Sequence, residues 1–349
     1  MKCLLCSVNE ATKKNTHYLT DAIIRTALNA EGGNSRETGL YWGLSTGKAG
    51  ADFGFQRSTA IAKLEEILGR SPTDEEIAQA IANTAFSVDD HFCPSCEDHF
   101  GKIEVPFIRD VLPRFRDADL TGVQELRIEE VRIFRAFFLM QVLRSALCNE
   151  TFNFSDKVLD DLKQLVLNFK TVDVAELSKY PLLITYLQTT GGPAAYTENQ
   201  VSFAVNKESQ IILMNDFVIQ FFETPGDVKC VDYHGLNDPT NFNDYLNTNE
   251  DAFIVKVMSD EKRKVFLFSI YQVFVEEWKS YFQVKHAKRF RQPADPLAVN
   301  IFLAQLSDES IEVPFGVRYG EERLEIVANT ILDKIAYNTA KARSKRRWW

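Results

Sequence analysis

The sequence has no apolar run approaching the 18 or so residues that a membrane-crossing helix needs. Its opening, MKCLLCSVNEATKK, also lacks an apolar stretch of signal-peptide length. Together these absences argue against a membrane partner and make the cytoplasm the expected compartment. An excess of basic residues is missing too. The formal net charge is -9, which excludes a protein that coats nucleic acid through bulk charge. No internal repeats and no low-complexity tracts occur. Gly191-Gly192 is not followed by the Lys-Ser/Thr of a phosphate-binding loop, so no nucleotide site is expected. No spacing argues for a Ser-His-Asp or Cys-His nucleophile. What is present is ordinary for a soluble globular chain of 349 residues: 45% hydrophobic, 12% aromatic and 26% charged, enough for two domains of usual size.

Cysteine is scarce, but four of the six cysteines form two CxxC pairs, Cys3/Cys6 and Cys93/Cys96. In a reducing compartment such pairs favour metal over disulfides. Two residues between thiols let a tight turn aim both at one ion. Two pairs complete a closed four-sulfur zinc site, structural because no coordination position is left for water. Cys148 and Cys230 lie singly in apolar surroundings and are expected to be ordinary buried cysteines.

The fold class expected is α+β. Residues 1–108 form a zinc-binding module, residues 109–190 a helical region, and residues 191–349 an α+β domain with antiparallel strands and a closing helix. In the first part, Ser58 to Leu68 has helical periodicity ending at Gly69, and Thr73 with Glu76 makes a capping box for a second helix. The run LGRSPTDEEIAQAI resembles a helix-turn-helix stretch of sigma factors, although simple packing explains it as well. Val123 to Cys148, Val158 to Phe169 and Val174 to Gln188 are expected as helices. Gln200 to Val205, Ile211 to Phe222, Ala252 to Met258 and Lys264 to Ile270 are rich in strand-forming residues. Asp260 to Arg263 suits a hairpin turn between the last two, and Val299 to Gln305 adds a strand. Gly320 to Ala342 is an amphipathic helix before a basic tail ending in Trp348 and Trp349. Lys285 to Arg291, with Arg109, Arg114 and Arg116, could form a phosphate-binding face; a solvated helix surface explains them equally.

The tetrad resembles a treble clef, with Cys3 to Cys6 as the knuckle and Cys93 to Cys96 opening a helix from Glu97 to Glu104. His17 follows the knuckle at the distance where HNH (ββα-metal) nucleases carry their histidine. Residues 1–105 are therefore similar to a degenerate member of that zinc-protein family, and residues 109–349 resemble none. The resemblance implies His17 as general base, Asp89 or Asp90 in the place of the motif's middle Asn, and Glu97 or His99 as ligand to a catalytic Mg2+ or Mn2+. Thr16 and Glu97 depart from the family, standing where other metal-binding residues are usual. Each candidate also has a plain structural use: Asp89 and Asp90 as turn caps, His91 and His99 as outer hydrogen-bond donors, Glu97 as a favourable first-turn acid. Two functions follow. One is an HNH-like, divalent-metal-dependent endonuclease acting on DNA or RNA, in the resemblance a bacterial defence effector. The other is a non-catalytic zinc-stabilised adaptor that binds a protein or nucleic-acid partner through its C-terminal half.

Overall fold

The computed structural model describes residues 1–24, 39–45, 48–54, 65, 68–77, 86–149, 152, 154–190, 201–205, 209–248, 251–306 and 321–346. It is a mixed α+β structure built on a six-stranded sheet. The strands, in chain order, are β1 (Thr16–His17), β2 (Gly39–Ser45), β3 (Lys48–Gly54), β4 (Ser87–Val88), β5 (Glu125–Ile128), β6 (Leu182–Leu187), β7 (Val201–Val205), β8 (Gln210–Met214), β9 (Phe217–Phe221) and β10 (Phe253–Met258). The large sheet runs β5-β10-β6-β9-β8-β7, while β1-β4 and β2-β3 form separate pairs. Within the large sheet β10 and β6 are parallel, in the register Lys256↔Thr185, and the other neighbours are antiparallel. β8 and β9 join through Asn215-Asp216, and Asn215 takes the left-handed conformation (φ 57°) that asparagine tolerates in a tight turn.

The sequences LLITYL, QIILM and FVIQF of β6, β8 and β9 are buried at every position. Such unbroken apolar runs belong to strands covered on both faces. Helices α1 (Pro94–Pro106), α2 (Val131–Cys148) and α3 (Asp156–Leu167) contribute to the core on one face. That core extends in a single set of packed residues from Cys3 and Leu5 to Phe253 and Val257. Its centre is aromatic: Phe107 stacks on Phe137 with centroids 3.7 Å apart, and Phe115, Phe134, Phe138 and Phe217 pack around them. α1 continues beyond Pro106 as a π-helical turn, Phe107–Val111.

The other face is covered by α4 (Asp260–Phe290), whose Phe266, Leu267 and Ile270 meet Leu187, Ile211, Leu213, Val218 and Met258. The far half of α4 packs with α5 (Pro296–Leu306) and α6 (Glu321–Arg346) around Phe282 and Phe302, whose rings stack at 4.6 Å.

Several expected elements differ. Lys264 to Ile270 is not a strand after a hairpin turn but the first part of α4. Phe266, Leu267 and Ile270 are buried while Val265 and Phe268 are exposed, a helical spacing. Val299 to Gln305 is helix rather than strand, started by Pro296 with the Asp295 carboxylate accepting the Leu297 N–H at 2.8 Å. Residues 123–148 divide into β5 and α2. Residues 174–188 divide into a helical turn, Val174–Leu177, and strand β6. Ile211 to Phe222 is a hairpin rather than one strand. The capping box is present, with Thr73 N–H donating to Glu76 at 2.8 Å and Glu76 N–H to the Thr73 hydroxyl at 3.3 Å. Most of Ser58 to Leu68, and Arg347 to Trp349, lie outside the described residues. Among the described residues no helix is long and apolar enough to cross a membrane.

Candidate metal centre

The first eleven residues fold back on themselves. Lys2 bridges Glu10, the Ala11 N–H reaches the Met1 carbonyl at 2.8 Å, and Cys3 N–H reaches Asn9 at 2.9 Å. Ser7 closes the turn by donating to the Cys3 carbonyl at 2.9 Å, with φ 56°. Cys3 and Cys6 therefore sit on one small turn. The second pair opens α1. Cys93 is extended (φ -89°, ψ 160°) at the cap, Pro94 begins the helix, and the N–H groups of Cys96 and Glu97 both reach the Cys93 carbonyl at 3.1 Å. The two segments are tied by Leu4 N–H to the His91 carbonyl at 2.9 Å and Lys13 N–H to the Phe92 carbonyl at 3.0 Å.

The result is a tetrad whose four sulfur atoms all lie within 4.8 Å of one another. Cys6 Sγ and Cys93 Sγ are 4.0 Å apart. Cys3, Cys93 and Cys96 are buried and Cys6 is half-buried. Asn9 Nδ2 donates to Cys93 Sγ at 3.6 Å, and the Ser95 hydroxyl lies 3.2 Å from the same sulfur. Burial raises the Cys93 thiol, but Ser95, the Cys96 N–H and Asn9 outweigh it and bring the pKa to about 6. Cys6 is likewise lowered: burial opposes the shift, and the Asn9 and Val8 backbone hydrogen bonds prevail. Cys96 is raised, first by burial and then by the other three sulfurs. Such a set of close sulfurs with anionic members can hold a metal ion. Cys148 and Cys230 are half-buried rather than fully buried, and burial raises both thiols, Cys148 to about 12.

The residues singled out around the tetrad are differently engaged. His17 ends β1 opposite Ser87 of β4. Asp89 accepts the Asn15 N–H at 2.5 Å, Asp90 pairs with Lys14, and His91 Nδ1 lies 2.8 Å from the Asp89 carbonyl. The first two contacts fasten the turn after β4 to the chain before β1, and the third lies within that turn. Glu97 faces α2, where the Arg144 guanidinium lies 3.7 Å away. Burial raises the Glu97 carboxyl, with Arg144 opposing. His99 Nε2 lies 2.9 Å from the Val166 carbonyl on α3, its ring edge-on to Phe169. Among the described residues, the cysteine tetrad is the one group of three or more His, Cys, Asp or Glu side chains gathered closely enough to hold a metal. His17, Asp89, Asp90, Glu97 and His99 are not brought into such a group.

No family model, curated protein or solved structure matches this chain.

Three partners were not read from the sequence. Asn9 and Ser95 brace Cys93, and their positions just after the first pair and inside the second were the available signal. Arg144 was visible only as one of three arginines in an otherwise apolar helix; it also bonds Glu104 at 2.7 Å and lies over the Phe100 ring at 4.7 Å. Five cations of the expected phosphate face are paired with carboxylates: Arg109 with Asp110, Arg114 with Glu130, Arg116 with Asp216, Lys285 with Glu325 and Arg289 with Asp333.

Proposed function

We propose that this chain is a non-catalytic, zinc-stabilised adaptor that binds a protein or nucleic-acid partner through its C-terminal half. The supporting observation is the closed cysteine tetrad, the one gathered ligand set among the described residues. Four thiolates at Zn–S distances near 2.3 Å require sulfur separations of about 3.8 Å in a tetrahedron. The 4.0 Å between Cys6 and Cys93 is close to that value, and the remaining separations, all within 4.8 Å, bring the other sulfurs into reach of the same ion. With four sulfurs bound, no position is left for a reacting water. The zinc then acts structurally, tying the first turn to α1. We read this combination of turn and helix start as treble-clef-like, and a reducing cytoplasm as its setting.

An HNH-like endonuclease is the second reading. It is favoured by the place of His17, at the end of a strand pair whose turn leads to the second cysteine pair. One experiment separates the two. Purified chain is assayed for metal content and for cleavage of DNA and RNA in Mg2+ or Mn2+. The adaptor reading expects one zinc per chain and no cleavage. Cleavage that disappears in a folded His17→Ala variant would overturn it in favour of the nuclease, and absence of bound zinc would remove the structural role of the tetrad.

A further inference from the structure

Within the tetrad the four sulfurs are unequally protected. Cys3, Cys93 and Cys96 are buried, at 1%, 1% and 4% exposure, whereas Cys6 is half-buried and the most exposed of the four. Its sulfur faces Cys93 Sγ at 4.0 Å, across the two segments rather than along its own turn. We infer that the tetrad is an oxidation-responsive staple, in which a hydroperoxide oxidises Cys6 and a Cys6–Cys93 disulfide replaces the metal as the link between the N-terminal turn and α1. The inference rests on the zinc reading above.

The chemistry balances with the peroxide as oxidant. The Cys6 thiolate attacks one peroxide oxygen, the O–O bond breaks, and a sulfenic acid forms on Cys6 as hydroxide or alkoxide leaves. The Cys93 thiolate then attacks the Cys6 sulfur, forming the S–S bond and expelling hydroxide. The two sulfurs lose two electrons, the peroxide gains them, and the two leaving anions take up protons from the buffer. Cys3 and Cys96, the two remaining thiolates, are too few to retain the ion. Closure from 4.0 Å to a bond of about 2.05 Å brings the two sulfurs together by about 2 Å.

Because the new bond crosses between segments, the N-terminal turn stays attached after the metal is lost. Its buried residues Leu5, Ala11 and Leu19 remain in the main core. A bond within one pair, such as Cys3–Cys6, would instead leave the two segments without a covalent link and held only by their hydrogen bonds and packing.

The test uses full-length zinc-loaded chain carrying Cys148→Ser and Cys230→Ser, treated with hydrogen peroxide. Zinc release is followed with a chromogenic chelator, and disulfides are assigned by peptide mapping with fragmentation under non-reducing conditions. One zinc released per Cys6–Cys93 bond, at matching rates and reversed by a dithiol reductant with added zinc, is the expected result. Retention of zinc under peroxide, or release with a Cys3–Cys6 or Cys93–Cys96 bond instead, overturns the inference. Wild-type chain mapped in the same way covers the case in which the double replacement disturbs folding. A chain that carries no zinc before oxidation would instead defeat the underlying zinc reading, a different and recognisable outcome.

Discussion

Replacing Arg144 with Met tests how the helix that carries Cys96 is attached to the core. The Arg144 side chain is 2% exposed and serves two carboxylates of α1, Glu104 at 2.7 Å and Glu97 at 3.7 Å, themselves 23% and 24% exposed. Removing one partner of a buried ion pair typically costs about 3–5 kcal/mol, because the partner's charge is left without compensation. Both carboxylates keep some contact with water, and Glu104 also accepts the Thr20 hydroxyl at 2.7 Å. The loss should therefore fall near the lower end, about 3 kcal/mol. Urea unfolding of the metal-loaded variant, followed by circular dichroism, measures it. Combining Arg144→Met with Glu104→Gln should cost less than the sum of the single changes by about 1 kcal/mol or more, since the nearer carboxylate is then no longer stranded. A single-variant loss below about 1 kcal/mol, or strict additivity, would show that solvent already compensates these charges and that the pairing does not hold α1 in place.

Three further perturbations probe other parts of the fold. Phe137→Ala removes the ring stacked on Phe107 and should cost about 3–5 kcal/mol in chemical denaturation; a loss under about 1 kcal/mol would mean that the aromatic centre repacks freely. Asn247→Ala leaves the Ile254 N–H and carbonyl, now bonded at 2.7 and 2.8 Å, without partners, and thermal unfolding should report a cost of about 2–4 kcal/mol. The Glu76 carboxyl is held down to about 2, first by Arg70 and then by the Thr73 N–H. Its contribution to stability is therefore present above the unfolded value of 4.5 and is lost as pH falls toward 2. An NMR titration of Glu76 with a midpoint near 4.5 would contradict that arrangement.

The tetrad was legible because ligand spacing is a local property that survives any fold. The helix α4 was not. Its first residues, Asp260 to Arg263, resemble a polar turn, and the following Val265, Phe266, Leu267 and Phe268 have strand composition. What decided the matter was tertiary: Phe266, Leu267 and Ile270 cover one face of the sheet, and acids at the helix start complement its dipole, with Asp260 reaching Lys264 at 3.1 Å. β6 was hidden for a similar reason. A fully buried strand loses the alternation that marks a half-exposed one, so LLITYL merged with the helical pattern before it. Around the tetrad, sequence proximity to the cysteines placed Glu97 and His99 on the correct helix. It could not show that α2 and α3 would claim their side chains through Arg144 and the Val166 carbonyl.

The fastening of Ile24 and Phe86 into one core, with β1 against β4 between them, has a consequence for how the chain can vary. The chain on either side of residues 25–85 is held together twice, by the paired backbone of β1 and β4 and by the sulfur cluster beside it. Doubling the length of chain between two ends held in this way costs only about 0.6 kcal/mol in closure entropy. A change in length between Ile24 and Phe86 therefore leaves both fastenings, and the metal ligands beside them, where they are.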